Sequence, residues 1–330
     1  MCANNIVGEA VVHKSLGRGL IVNTKENQYG TYITVHFDNG EDGVFSWSDV
    51  PDYFSSNSFV FNRFLQKQIE ERENEQRRLK EAEESVKREK QEKIKKTVKS
   101  RNIQLLLHFT SVDNLENILE KGILSRAEME KQGIAAVKND GLRLDYCPDG
   151  ISCSITLPNA GLLFKFQKEN NRKYVLLGIK PEVLWEKGCL FCKENAASKR
   201  VSLVSHNLTP EAFEEMFGDY DAGHTRKDLE NLYMDGFIKN NMPTHNQAEV
   251  LVKQKIEPEY ITGVYVFRED CSESFVSRII EITNKYPKEV YCCPDDFMRR
   301  CKQPEKGFWE NTKRDYNEVS SGIFDDEIPF

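Results

Sequence analysis

The sequence predicts an α+β protein built from a small β-rich module, a long charged helix and a folded α+β domain. Three observations predict it. Short alternating apolar runs fill the first fifty residues, residues 62–100 hold neither Gly nor Pro, and from Ile103 onward apolar runs of strand length alternate with helical stripes. A chain of 330 residues suits two or three domains.

The first module, residues 1–55, has runs at Ala10 to His13, Gly19 to Asn23, Thr31 to Phe37 and Gly43 to Trp47, separated by Gly, Asn and Asp. Such spacing predicts a small antiparallel β barrel or curled sheet. Val12-His13 followed by Gly17-Arg18-Gly19, then a strand ending in Phe37-Asp38, resembles SH3-like or Tudor-like barrels found beside bacterial enzymatic domains. That resemblance implies a binding or docking module without a catalytic residue.

Residues 60–101 are dominated by Glu, Lys, Arg and Gln, strong helix formers with many charge pairs four residues apart. Leu79, Ala82 and Val86 make one short apolar stripe, so the segment reads as a solvated spacer or a coiled coil. Its end is strongly basic: Lys87 to Arg101 carries eight Lys or Arg against two Glu, which suits a polyanion.

Residues 102–302 read as the α+β domain. Ile103 to Phe109 suits a buried strand, and Thr110 to Asn114 supplies N-cap residues ahead of a stripe of Leu115, Ile118 and Leu119 closed by Gly122. Further strands are expected at Gly150 to Ile155, Tyr174 to Ile179, Val201 to Val204, Val250 to Val252 and Ile261 to Phe267. Residues 303–330 form an acidic, irregular tail.

Composition narrows the function classes. A formal charge of −7 argues against a protein coated in phosphate-binding groups, although a local basic groove is compatible with it. No stretch approaches the roughly 20 apolar residues of a membrane span, and the opening residues lack the apolar core of a secretory signal. A cytoplasmic protein without membrane contact is the expectation. Nine cysteines do not make a secreted disulfide framework, and Cys189 and Cys192 are better read as buried thiols than as half a zinc site, so no metal is expected.

Four polar groups stand at strand ends: His108-Phe109-Thr110, Arg143-Leu144-Asp145, Ser152-Cys153-Ser154 and Gln247-Ala248-Glu249. Each alone has an ordinary reading as a satisfied core histidine, a salt bridge or edge polarity. Glu249 is the odd one, a carboxylate opening an apolar run, which has to be solvated, paired or used. In order, the segments HFTSVDNLENILEKGILS, ISCSITLPNAGLLFKF, VLLGIKPEVLWEKGCLFCKENAAS and THNQAEVLVKQKIEPEYITGVYVF resemble the DarT family of NAD-dependent ADP-ribosyltransferases, over about residues 104–270.

The resemblance implies an ADP-ribosyltransferase-like mixed sheet and NAD+ as co-substrate. It implies Glu249 as the catalytic carboxylate, beside a ribose on which positive charge develops, and His108 as the group orienting that ribose. It places Thr110, Ser152, Ser154, Asn159 and Phe164 around the cofactor. The diphosphate needs a cation, for which the sequence offers Arg143 or Lys165; Arg143 is preferred because a guanidinium grips phosphate bidentately.

Related enzymes modify bases in nucleic acid, so single-stranded DNA or RNA is the expected substrate and an antitoxin protein the expected control, in a toxin-antitoxin or phage-defence setting. His245, Gln247, Arg226 and Tyr220 are the candidate substrate contacts, while the aromatic residues of the 207–246 stretch equally suit the packing of a helix pair, and His245 equally suits a loop cap. The alternatives are a transferase acting on a protein side chain and an inactive transferase-like adaptor. Either is separable from the first by transfer assays.

Overall fold

The structure, a computed structural model, describes residues 6–134, 137, 146–197, 205–219, 240–245, 247–267 and 272–293. The chain divides into two compact units, Met1–Lys87 and Arg88–Phe330.

In the first unit, β1 (Ala10–His13), β2 (Gly17–Asn27), β3 (Gly30–Phe37), β4 (Asp42–Ser46) and, after the short helix α1 (Val50–Tyr53), β5 (Phe54–Ser55) form one antiparallel sheet. Period-2 alternation turns Ile33, Val35 and Phe37 inward, all at most 2% exposed. The spatial order is β4-β3-β2-β1-β5. Among the described residues no pairing joins β4 to β5, so the sheet is open where a closed small barrel was expected. Five strands, one of them two residues long, leave both edges unpaired. The core of Ile21, Ile33, Val35, Phe37, Val50 and Phe54 is completed by Phe61 and Phe64. Both belong to the first turns of α2 (Phe59–Arg101), where the Phe64 ring lies 4.1 Å from Trp47.

The helix expected over 60–101 is therefore present almost residue for residue. From Ile69 to Lys90 every residue of it is exposed, Leu79 and Val86 included, so the short apolar stripe is solvated.

The second unit is built on a mixed sheet of seven strands in the order β10-β11-β8-β6-β9-β13-β14. In chain order it contains β6 (Leu106–Ser111), α3 (Leu115–Lys121), β7 (Ile123–Leu124), α4 (Arg126–Lys131), β8 (Gly150–Ile155), α5 (Ala160–Asn170), β9 (Tyr174–Ile179) and α6 (Val183–Glu186). There follow β10 (Cys189–Cys192), α7 (Pro210–Glu215), β11 (Glu249–Lys253), β12 (Lys255–Ile256), β13 (Ile261–Phe267), α8 (Glu273–Lys285) and β14 (Glu289–Cys293). All pairings in the large sheet are antiparallel except β13 with β14; β7 and β12 make a separate two-stranded ribbon.

Alternation sorts the sheet into two faces. Leu106, Ile151, Cys153, Ile155, Val175, Leu177, Val250 and Val252 pack with Leu115 and Leu119 of α3 and Phe275, Ile279 and Ile282 of α8. Ile94 and Val98, in the last turns of α2, join the same cluster. On the other face Leu105, Leu107, Tyr174, Leu176, Tyr265 and Phe267 pack with Leu163 and Phe166 of α5. The strands expected at Gly150–Ile155, Tyr174–Ile179 and Ile261–Phe267 are found with those bounds. The strand expected at Val201–Val204 and the acidic tail lie outside the described residues. Among the described residues no helix is long and apolar enough to cross a membrane.

Candidate active site

Strand β6 is paired unequally on its two sides. It pairs with β9 at six consecutive positions, from Leu106↔Ile179 to Ser111↔Tyr174, but with β8 only at Leu106↔Ile155 and Leu107↔Ser154. Beyond Leu107 the strands β6 and β8 part, and His108 is the first residue of β6 past the last pair. Its Nδ1 lies 2.8 Å from the backbone oxygen of Ser152. A carbonyl oxygen can only accept, so Nδ1 carries the hydrogen, and in the neutral ring Nε2 is the acceptor nitrogen.

Glu249 stands on the other side of this parting, as the first residue of β11. The next three residues, Val250, Leu251 and Val252, are fully buried between β8 and β10 and fix the register, with Leu251 opposite Ser152 and Cys192 opposite Glu249. Alternation then puts Glu249 and Ser152 on one face. The Ser152 hydroxyl donates to Glu249 Oε1, and the backbone N–H of Ala196 donates to Oε2 at 2.8 Å. The carboxylate is half-buried, and each of its oxygens accepts from an electrically neutral donor. A carboxylate so held can stabilise positive charge forming beside it, and a ring nitrogen so fixed can accept a hydrogen bond from a hydroxyl. Glu249, Ser152 and His108 are thus brought together through Ser152, whose side chain and main chain serve one partner each.

The remaining predicted residues are distributed more widely. Thr110 is buried, and its hydroxyl accepts from Asn114 Nδ2 at 3.2 Å; Asn114 in turn exchanges two hydrogen bonds of 2.9 Å with the backbone of Val137. Ser154 Oγ accepts from the Asn159 N–H, while Asn159 Oδ1 caps α5 by accepting from Leu162 N–H, both at 3.2 Å. These two side chains therefore build the turn into α5. Phe164 and Lys165 lie on α5; Lys165 is exposed and 3.9 Å from Glu169, one turn along the same helix. His245 Nδ1 accepts from Gln247 N–H at 3.2 Å, and its carbonyl accepts from Ala248 N–H at 3.1 Å, the loop-capping geometry; Gln247 is exposed. Arg143, Tyr220 and Arg226 lie outside the described residues.

Two features carry no mark in the sequence. One is the Ala196 amide, a main-chain donor that any residue but proline would supply. The other is the strap from Asn240 to Thr244, which leads towards Glu249. Its Asn240 accepts from Arg101 through the side chain at 3.1 Å and the backbone at 3.3 Å, and donates to Ser100 O at 3.2 Å. Asn241 O accepts from Thr156 Oγ1 at 2.8 Å, and Thr244 Oγ1 donates to Gly218 O at 2.7 Å. The Arg101 guanidinium also lies 4.3 Å from the Phe217 ring centroid.

Cys189 and Cys192 sit three positions apart on β10, hence on opposite faces of the sheet, one in the main core and one in a small cluster with Leu190, Ala196 and Leu251. They cannot converge on one ion, and among the described residues no group of acidic, His and Cys side chains is arranged to hold a metal. Burial pushes the Cys189 thiol up to about 12 and raises Cys153 well above the ordinary thiol range, Cys153 also feeling Cys189 and Glu249. Both are packing residues. At the far end of β11, Lys253 Nζ lies 2.9 Å from Asp149 and 3.3 Å from the Cys147 sulfur. Burial there raises the Asp149 carboxyl, but hydrogen bonds from Lys253 and Cys147 and the ammonium charge outweigh it and hold the group below its usual value.

Residues 107–297 match the family model described as "DarT: ssDNA thymidine ADP-ribosyltransferase, DarT". The chain is 30% identical over 175 residues to a DNA ADP-ribosyl transferase-DNA ADP-ribosyl glycohydrolase fusion protein of Thermosipho africanus (strain H17ap60334), an alignment covering 49% of this chain and 42% of the relative. The chain thus spans less than half of that relative's length. Among solved structures it is similar to Thermosipho africanus DarTG in complex with ADP-ribose, with a TM-score of 0.41 and 22% identity over 59% of this chain and 51% of the other. It is also similar to Thermus sp. 2.9 DarT in complex with NAD+, with a TM-score of 0.38 and 13% identity over 59% of this chain and 96% of the other. The family model covers more than half of the sequence, from the first strand of the mixed sheet to its last: this chain belongs to the DarT family of single-stranded-DNA thymidine ADP-ribosyltransferases.

Proposed function

We propose that the chain is an NAD+-dependent enzyme that transfers ADP-ribose to thymidine in single-stranded DNA. The single observation that carries this reading is the parting of β6 from β8, with His108 on one lip and the Ser152-oriented carboxylate of Glu249 on the other. Family membership supports it, as does the description of a similar solved structure, Thermus sp. 2.9 DarT in complex with ADP-ribosylated ssDNA.

The residues present fit NAD+ on the ribose side: a carboxylate for developing positive charge and an imidazole held through Nδ1, leaving Nε2 as the nitrogen that would meet a hydroxyl. Bound NAD+ supplies the ADP-ribosyl group, its bond to nicotinamide breaking as a bond to the base nitrogen forms. Glu249 stabilises the charge on the ribose and accepts the proton the base nitrogen gives up. Ser152 and the Ala196 amide keep that carboxylate aimed, and Ser152 also fixes the His108 tautomer. Thr110, Ser154 and Asn159 shape the surrounding wall from behind. Arg143 is the preferred cation for the diphosphate, since Lys165 has a carboxylate neighbour on its own helix. Single-stranded substrate suits this chemistry, because an unpaired base reaches the site without the cost of unstacking a duplex.

The domain assignment belongs to the same proposal: residues 1–55 as a docking module with the strand order of an unclosed small barrel, 60–101 as a helical linker, 102–302 as the transferase and 303–330 as a tail. A DNA ADP-ribosyl glycohydrolase, the second activity named in the fusion relative, is the partner whose chemistry would reverse the modification and serve as antitoxin.

The test is a substrate panel. Purified protein with labelled NAD+ is offered single-stranded DNA containing thymidine, the same DNA with thymidine replaced, an RNA of matching sequence, and cell-extract protein. Label confined to thymidine-containing DNA is expected; label on protein alone, or on RNA in preference to DNA, overturns the reading.

A further inference from the structure

The charges of α2 are segregated along its length. From Asn62 to Val86 six basic residues face seven acidic ones, whereas Lys87 to Arg101 has eight basic and two acidic. A helix that needs only to be solvated is served by mixed charge, as its exposed stretch from Ile69 to Val86 shows. The basic part is docked as well, as the first turns of the helix are: Ile94, Thr97 and Val98 are at most 7% exposed, and Thr97 Oγ1 donates to Glu214 at 3.0 Å.

That docking decides which face looks outward. Arg88, Lys96 and Lys99 lie on the side away from the buried stripe, spread over roughly 16 Å at 1.5 Å per residue; all three are exposed, and the exposed Glu92 between Arg88 and Lys96 on that side is 3.9 Å from Lys95. Three other cations of the segment have local work: Lys93 is within 3.1 Å of Glu89 and 3.8 Å of Glu211, Lys95 is 3.9 Å from Glu92, and Arg101 holds Asn240; Lys87 and Lys90 are exposed on other sides of the helix. Among the described residues no carboxylate lies within ion-pair distance of Arg88, Lys96 or Lys99. This set ends where Ser100 and Arg101 grip the strap that leads towards Glu249. It also lies outside residues 107–297, the part that matches the family model.

We propose that this outward set of Arg88, Lys96 and Lys99 is a docking track for the phosphate backbone of single-stranded DNA, holding the strand whose thymidine enters the site. The inference rests on the DNA-modifying reading above and adds a surface to it. Three exposed cations on one side of the helix offer sequence-independent grip, with affinity that falls as salt rises; they read no base.

The experiment measures DNA binding without NAD+, so that its outcome is independent of transfer. Affinity for a thymidine-containing strand of about 16 nucleotides and one of about 4 is followed across a salt series for the wild type, for Arg88→Gln/Lys96→Gln/Lys99→Gln and for Lys96→Arg/Lys99→Arg. Gln keeps the helix-forming character, which circular dichroism verifies. Removing three backbone contacts is expected to flatten the salt slope for the long strand by about 2, at roughly 0.7 per contact on single strands, and to narrow the preference for the long strand over the short. The Arg variant is expected to retain both. An unchanged slope in the Gln variant, or an equal loss in the Arg variant, overturns the track. Failure of transfer to DNA with the track's salt dependence intact would instead count against the enzymatic reading alone.

Discussion

The two seams of β6 make the most instructive comparison in the molecule. On the β9 side the strand is paired throughout, and the residues behind that seam, Leu176, Leu177 and Ile179, are fully buried. On the β8 side pairing stops after Leu107, and the positions just beyond it carry the polar groups. The same strand thus supplies rigidity along one edge and an opening along the other. A fully paired strand spends its backbone groups on its neighbours; where the pairing stops, the Ser152 carbonyl is taken by His108, and the backbone itself becomes part of the site.

Mutations on the two seams should separate stability from activity. The largest effect on stability is expected from Leu177→Ala, opposite His108 on the closed side: about 2–5 kcal/mol of unfolding free energy, the cost of a cavity at a fully buried leucine, measured by denaturant unfolding. A loss below about 1 kcal/mol would show that the closed seam does not hold the sheet together. Next is Ser152→Ala on the open side, which removes the donor to Glu249 Oε1 but keeps the carbonyl that holds His108. About tenfold lower kcat/KM for transfer is expected, the scale of one hydrogen bond to a charged group, with unfolding nearly unchanged. Equal transfer rates would mean that Ala196 alone aims the carboxylate.

The smallest effect is expected at the other end of β11. Asp149 is partly exposed, so Asp149→Asn should cost about 0.2–1 kcal/mol after screening and leave transfer untouched. Its folded carboxyl is held below the ordinary value near 3.8. The contribution is therefore present above that pH and disappears as pH falls through the lower folded value. A difference between wild type and variant that does not shrink as pH falls below the ordinary value, read by acid unfolding, would contradict the assignment of the shift to the Lys253 partnership.

Much of this arrangement is legible in the sequence, because period-2 runs and helix caps are local signals. Gly150–Ile155 and Tyr174–Ile179 announce themselves by their apolar content, and α2 by its lack of Gly and Pro. Glu249 is legible as a misfit, a charge where the alternation calls for burial. Other features are not. β10 was obscured because its CLFC sequence draws attention to the thiols, whereas burial on both faces makes it a strand. Closure of the small barrel depends on pairing between distant edges, which alternation does not encode, and the sheet stays open. The Ala196 amide and the Ser152 carbonyl are main-chain groups that every residue carries, so no residue type marks them. His245 shows the opposite case, a chemically versatile side chain whose Nδ1 caps its own turn.

The central claim is that Glu249 is held at the open seam for chemistry. Its most direct test is transfer from NAD+ to thymidine-containing single-stranded DNA by Glu249→Gln, alongside unfolding of the same protein. A side chain of nearly equal shape without the charge should lower transfer by at least about a hundredfold while the unfolding midpoint stays close to wild type. Transfer within a few-fold of wild type, or a loss of activity that follows a loss of fold, would contradict the account.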